Sequence, residues 1–393
     1  MMQKLISRLP LFVLLLSGFS AAQDFTIIAL PDTQNEAKQF PQVMASQMKW
    51  IVANQKALNI AVVLGEGDVV DNGSSVAQLQ NADAAYRLLD QAGIPYFAAI
   101  GNHDYNNVNP GSRNATGFNQ WFGPARYAGH SYYRGHFTGG NENFYGVVTM
   151  GGKQYLVLAL EYMPRKSALA WGESILNANP DKDAILITHT YLYVDNTRLD
   201  RCDPHDMGSG NANGEDIWAL MRKHANLILV VSGHLTNGQV ARRSDIADHG
   251  NLVNQIFTNF QTFPDGGDGW LRILTVHASS NTVTVQTYSP WLKQFKTDSA
   301  NHYTLYFRNP HLQSGKGKLT GRVRANNCTV IAGAKISAGG QTATSGSDGR
   351  YSLSLPPGKY TVTVSRSGWT TAIKSETVYD SFATDLNFYL TPP

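Results

Sequence analysis

Gly101-Asn102-His103-Asp104 sets an amide oxygen, an imidazole and a carboxylate side by side, directly after the apolar run Tyr96-Phe97-Ala98-Ala99-Ile100. Such a run reads as a buried strand, and ligands of open α/β sheets bind where strands end. Four other apolar runs end in the same way. Phe25 to Leu30 leads into Pro31-Asp32-Thr33-Gln34, and Ile60 to Leu64 into Gly65-Glu66-Gly67-Asp68-Val69-Val70-Asp71. Ala184 to Ile187 leads into Thr188-His189-Thr190, and Leu227 to Val231 into Ser232-Gly233-His234. With these strands side by side, Asp32, Asp68, Asn102, His189 and His234 converge on one rim. Any one of them alone reads as a solvated loop residue; the ordered set points to a metal. Carboxylates, an amide oxygen and imidazoles suit Mn, Fe, Zn or Mg rather than soft copper(I).

The elements that must position these residues follow an α/β pattern. Phe40 to Asn59 carries Val43, Met44, Met48, Ile51 and Val52 at helical spacing, and Ala77 to Ala92 carries Ala85, Leu88 and Leu89. Each helix joins one ligand-bearing strand to the next, which predicts β-α-β steps and sequential strands. Asn106 to Gly146 reads as a long irregular stretch of the kind that covers a site. Phe144 to Met150 and Gln154 to Leu160 read as a hairpin, Ser167 to Asn177 and Asp216 to His224 as helices, and Leu271 to His277 with Thr282 to Tyr288 as a second hairpin. Tyr191 to Gly214, which follows the His189 strand, is expected to be irregular and to approach substrate. It holds Asp195, Asp200, Cys202, Asp203 and His205.

At 393 residues the chain is long enough for two or three domains. Lys4 and Arg8 precede the apolar run Leu9 to Phe19 and the small residues Ser20-Ala21-Ala22. Residues 1–22 are therefore expected to be a cleavable signal peptide, and the protein secreted or periplasmic. Its removal takes the formal charge from +3 to +1. A near-neutral chain without basic blocks offers no nucleic-acid surface, and no second apolar segment is long enough to span a membrane. Export permits a disulfide between Cys202 and Cys328, the two cysteines; the spacing leaves their pairing open. Oligomeric state is equally open.

The succession Asp-x-x, Gly67-Asp68-Val69-Val70-Asp71, Gly101-Asn102-His103-Asp104, strand-end His189 and Gly233-His234 resembles the calcineurin-like metallophosphoesterases over about residues 25 to 310. The Pro31-Asp32-Thr33-Gln34 opening is similar to that of a secreted bacterial branch. The resemblance implies a β-sandwich flanked by helices, one or two divalent ions per chain and a phosphoester substrate. Asp68 would bridge two metals, one completed by Asn102, His189 and His234 and the other by Asp32 and Gln34. His103 would stabilise or protonate the leaving group, Asp104 would orient its ring, and Asp71 would hold a ligand or the loop. Two imidazoles usual in the family are replaced, by Gln34 in Asp32-Thr33-Gln34 and by Thr236 in Gly233-His234-Leu235-Thr236. Neutral oxygen donors there favour Mg, Mn or Ca, or weak binding. His249 and Thr236 are candidate substitute ligands, and Arg242 and Arg243 candidate phosphate contacts.

Gln313 to Lys318 reads as a linker between a domain over 23–312 and a second over 319–393. In the second, Leu319 to Val323, Lys335 to Ser337, Arg350 to Leu355 and Tyr360 to Ser365 read as strands of a small all-β sandwich. Gly321-Arg322-Val323, Ser347-Asp348-Gly349-Arg350-Tyr351 and Pro357-Gly358-Lys359-Tyr360 resemble the carboxypeptidase regulatory-like, transthyretin-like domain. The expected activity is metal-dependent phosphoester hydrolysis. The rival expectation is a catalytically weak surface- or carbohydrate-binding protein on a phosphatase scaffold.

Overall fold

The computed structural model describes residues 23–236 and 239–393; the expected signal peptide lies outside them. The chain opens with β1 (Phe25–Leu30), α1 (Gln34–Gln39), α2 (Pro41–Asn54), β2 (Ile60–Gly65), α3 (Val76–Ala92) and β3 (Tyr96–Ala98). These strands run parallel. The helix expected over 40–59 is α2, which starts at Pro41 and stops at Asn54, and a short helix, α1, that was not expected precedes it. Phe40 leaves helical geometry at φ −131° because Pro41 follows it, and Pro41 then opens α2, where its missing N–H costs nothing. α3 starts on the Ser75 hydroxyl, which accepts from the Gln78 N–H, and stops at Gly93, whose φ of 67° suits a residue without a side chain.

The stretch from 106 to 146 is more ordered than its composition predicts. It forms α4 (Thr116–Phe122), α5 (Pro124–Tyr127) and an edge strand β4 (Tyr133–His136). Its aromatics turn inward: Phe118, Phe122 and Tyr127 are fully buried, with Tyr127 packed on Tyr96 and Phe144. They close the core beside β3. Next come β5 (Phe144–Met150), β6 (Lys153–Leu160), α6 (Lys166–Ala178), β7 (Asp183–Thr188), α7 (Gly214–Met221), β8 (Leu227–Ser232), β9 (Val240–Ile246) and β10 (Leu252–Thr258). β11 (Leu271–His277), β12 (Thr282–Ser289), β13 (Gln294–Lys296) and β14 (His302–Tyr306) then return to the first sheet.

Two seven-stranded sheets result, one ordered β13-β12-β11-β1-β2-β3 with β14 beside β12, the other β4-β5-β6-β7-β8-β10-β9. They face each other, with α2 and α3 outside the first and α6 and α7 outside the second. Strands covered on both faces read as unbroken apolar runs, and every residue of β1, β8 and β10 is buried. Each fully buried Val, Ile or Leu contributes about 1.5–3 kcal/mol, which offsets the cost of burying the carboxylates and imidazoles at the rim. β1, β2, β3, β7 and β8 all end on that rim.

The last eight strands are β15 (Gly317–Ala325), β16 (Lys335–Ala338), β17 (Gln341–Thr344), β18 (Arg350–Leu355), β19 (Gly358–Ser365), β20 (Ala372–Val378), β21 (Ala383–Asp385) and β22 (Phe388–Leu390). They form two four-stranded sheets around Leu319, Val323, Ile336, Leu355, Val362 and Phe388. This β-sandwich is tied to the first part of the chain at several points. Arg222 holds Glu376 through two bonds of 3.0 Å, Arg324 reaches Asp200 at 2.6 Å and Arg322 reaches Asp195 at 2.9 Å. Cys202 and Cys328 pair, with Cα atoms 5.5 Å apart. No helix among the described residues is long and apolar enough to cross a membrane.

Candidate metal centre

After β2 the chain enters left-handed conformation twice, at Gly67 (φ 102°) and Asp68 (φ 46°). Only small or Asp/Asn residues accept this cheaply, and the turn carries the Asp68 carboxylate inward, where it is 1% exposed. Its Oδ1 accepts from the His103 N–H at 2.9 Å, and its Oδ2 lies 3.1 Å from His189 Nε2. His189 Nδ1 is 2.8 Å from the Glu66 carbonyl. The Nδ1–H therefore donates there, which turns Nε2 toward the cluster. His234 enters from β8 with φ 84°, another strained backbone at the same rim. Ligand atoms of Asp68, His189 and His234 lie within 4.8 Å of one another.

Buried polar atoms almost always have partners. Here Asn102 Oδ1 and His234 Nε2 are buried without a hydrogen bond, and His189 Nε2 has only the Asp68 carboxylate beside it. The electrostatics agree. Burial opposes a charge on His189, yet the charges of Asp68 and Asp32 raise its pKa to about 10. Burial and the neighbouring His189 push His234 down to about 3, so its ring is a neutral base. A pocket that draws a proton onto one imidazole and holds the next neutral has the field of a cation site.

The glycines that precede these ligands each make room for a ligand from another strand. A Cβ on Gly67 would stand 2.4 Å from His189 Nδ1, one on Gly101 2.1 Å from Asp68 Oδ1, and one on Gly233 2.1 Å from Asp32 Oδ1. The motif glycines are thus the mutual clearances of the cluster.

The other half of the rim is built from amides. Asp32, 3% exposed, accepts from the His234 N–H at 3.2 Å, Asn259 Nδ2 at 2.8 Å and Gln261 Nε2 at 3.4 Å. Gln34 donates through Nε2 to Gln261 Oε1, and its own Oε1 is buried and unpartnered. Burial, with the Asp68 charge, pushes the Asp32 pKa well up despite His189. This half offers oxygens and no imidazole.

The calcineurin-like phosphoesterase family model matches residues 25–237, more than half of the chain, and so spans β1, β2, β3, β7 and β8. This chain belongs to the calcineurin-like phosphoesterases. The carboxypeptidase regulatory-like domain model matches residues 318–391. The uncharacterized protein YvnB of Bacillus subtilis (strain 168) is 33% identical over 277 residues, which is 68% of this chain and 20% of YvnB. The chain thus spans about a fifth of the length of that relative. Among solved structures, purple acid phosphatase PPD1 from yellow lupin (Lupinus luteus) seeds is similar at a TM-score of 0.47 and 14% identity, over 73% of this chain and 54% of that one. GAP50, the anchor in the inner membrane complex of Plasmodium, is similar at 0.40 and 12%, over 73% and 89%.

This member of the family departs from what its sequence leads one to expect at several named residues. Asp104 does not orient His103. It is fully buried and accepts from the N–H groups of Gly101 at 2.8 Å, Val70 at 2.9 Å and Val69 at 3.2 Å, so it ties the β3 turn to the Asp68 turn. The His103 ring is held by Asp71 instead. Its Nδ1 lies 3.0 Å from the Asp71 carbonyl and 3.6 Å from Oδ1, while Lys38 pairs with the same carboxylate at 2.8 Å. His249 is no substitute ligand. It sits in the β9–β10 turn against the Lys223 carbonyl at 3.1 Å, at the opposite end of β8 from His234 and about 20 Å away by strand length. Thr236 is exposed and makes no hydrogen bond to the cluster among the described residues. Arg242 and Arg243 are structural: Arg242 stacks 3.6 Å over the Tyr303 ring, and Arg243 is bound to Asp245 at 2.6 and 2.7 Å. A ring from β14 claims the first, and a carboxylate two residues along β9 claims the second.

Asn259 and Gln261, which satisfy Asp32, lie outside the residues singled out from the sequence. They follow β10, so the strand-end rule applied to Leu252–Thr258 would have found them. Tyr162, 3% exposed and 5.2 Å ring to ring from His234, follows β6 in the same way.

Proposed function

We propose that this protein is an exported, metal-dependent phosphoric ester hydrolase acting on phosphomono- or phosphodiesters. The observation that carries this reading is the convergence of Asp68, His189 and His234, with Asn102 Oδ1 buried and unpartnered on the turn whose His103 N–H binds Asp68. These four residues would hold one divalent ion, and two imidazoles with one carboxylate and one amide suit Mn, Fe or Zn. Bound there, the ion supplies Lewis acidity and acidifies water near neutral pH. Asp32 and Gln34 would add oxygen donors toward a second, weaker position that suits Mg or Mn. Dialysed protein is therefore expected to keep about one ion per chain, because neutral amides bind less tightly than imidazoles; elemental analysis checks this, and two firmly retained ions would contradict it.

His103 is the candidate proton donor. Fixed through Nδ1 by Asp71, its ring keeps Nε2 for the oxygen of the departing alcohol. His103→Ala should lower kcat by about 10²–10⁴-fold while metal content stays unchanged, as steady-state kinetics beside elemental analysis will read. The whole reading is tested by hydrolysis of chromogenic phosphomono- and phosphodiesters after Mn reconstitution, repeated with Fe and Zn. The faster ester class defines the substrate type. Silence with all three metals overturns hydrolysis and leaves a binding protein on this scaffold, the reading favoured by the absence of imidazoles at Gln34 and Thr236.

A further inference from the structure

Within the irregular segment after β7, His205 comes within 5.0 Å of His234, ring centroid to ring centroid, with the planes at 85°. It is therefore beside the proposed metal position without belonging to the ligand cluster. Asp203, its carboxylate buried, positions it: Oδ1 accepts from the His205 N–H at 2.7 Å and lies 3.0 Å from the ring Nδ1. The His205 side chain is 52% exposed, and Nε2 has no protein partner among the described residues. An imidazole anchored at one nitrogen, open at the other and set over a ligand of the centre is placed to meet what that centre binds.

The segment that carries His205 is held from outside its own domain. Cys202, one residue before Asp203, is bonded to Cys328. Arg324 binds both oxygens of Asp200, at 2.9 and 2.6 Å, and Arg322 and Arg350 both bind Asp195. Asp200 in turn accepts from the Cys202 N–H at 2.9 Å. From the catalytic side, Arg113 donates to Asn211 at 2.6 Å and to the Tyr162 and Met163 carbonyls at 2.7 and 2.8 Å. A segment with little regular structure is thus fixed at both flanks, and its outer ties belong to the C-terminal β-sandwich.

We propose that His205 is a substrate-binding residue, its free ring nitrogen hydrogen-bonding the phosphoryl group, and that the C-terminal domain completes this part of the site by fixing the segment through Cys328 and Arg324. The inference rests on the phosphoesterase reading above and adds to it a residue and a role for the second domain.

The test uses the Mn-reconstituted protein and inorganic phosphate as probe, with the dissociation constant from calorimetry, KM and kcat from the chromogenic ester, and metal content from elemental analysis. His205→Ala is expected to raise Kd and KM about tenfold, the loss of one hydrogen bond to a charged group, with metal content unchanged; His205→Gln, which keeps a polar end, should recover part of the loss. Cys328→Ser/Arg324→Ala, altered only in the C-terminal domain, should raise both constants in the same direction. Adding His205→Ala to that variant should cost no more than His205→Ala alone, because both changes act through one contact. Reduced wild-type protein provides a second version of the severed tie without substitution. Unchanged Kd and KM in His205→Ala, loss of metal in that variant, or independent multiplication of the two effects would each overturn the proposal. Wild-type protein that neither binds phosphate nor turns over ester would instead overturn the phosphoesterase reading, and this inference with it.

Discussion

Asp68→Asn is expected to lower kcat by about 10³-fold or more, since several kcal/mol of charge stabilisation depend on the ion that this carboxylate helps to hold. Asn is the informative replacement. Asp68 has φ 46°, which Asn tolerates and Ala does not, so the turn survives and the charge alone is removed. The His103 N–H keeps an acceptor in the Asn oxygen, so the β3 turn stays in place. Loss of turnover together with loss of the retained ion would tie hydrolysis to the centre. Turnover within tenfold of wild type would place the chemistry elsewhere.

Gly101→Ala is expected to do as much damage without replacing any candidate ligand. The added Cβ would stand 2.1 Å from Asp68 Oδ1 and 2.3 Å from its backbone nitrogen, and backbone cannot rotate away as a flexible side-chain tip can. The Asp68 turn must move, and Asp104, which joins the Gly101 N–H to the N–H groups of Val69 and Val70, moves with it. The predicted result is loss of the tightly held ion and of turnover. Gly93→Ala is the control. No atom lies within 4 Å of a Cβ there, so the positive φ costs about 1–2 kcal/mol of stability and the ion is retained. Equal metal content in the two variants would show that the clearance at Gly101 is not needed.

Both substitutions act where strand ends meet, and that is also where the sequence was most legible. Apolar runs of four to six residues that end in a small residue and a ligand type have few alternatives: a strand covered on both faces must be apolar throughout, and its polar groups are confined to the ends. Hence β1, β2, β7 and β8, the two crossover helices and the residues on the rim could be read from local pattern. The short helix α1 was not legible, because Gln34 to Gln39 carries a single apolar residue, Ala37, and so shows no helical apolar spacing. The inward turn of Phe118, Phe122 and Tyr127 was not legible, because aromatic residues among Gly and Asn look alike whether they face a site or a core.

The amino-acid sequence by itself determined the α/β class and the order in which the strand ends bring Asp32, Asp68, Asn102, His189 and His234 to one rim, because periodicity and residue type act over a few neighbours. Tertiary structure alone decided the partners. Asp104 bonds backbone rather than His103, Asn259 and Gln261 rather than His249 come to Asp32, Arg242 and Arg243 are taken up by Tyr303 and Asp245, and Cys202 meets Cys328 across 126 residues. Each depends on which strand ends lie adjacent once two sheets have closed on one another, and no local spacing encodes that distance.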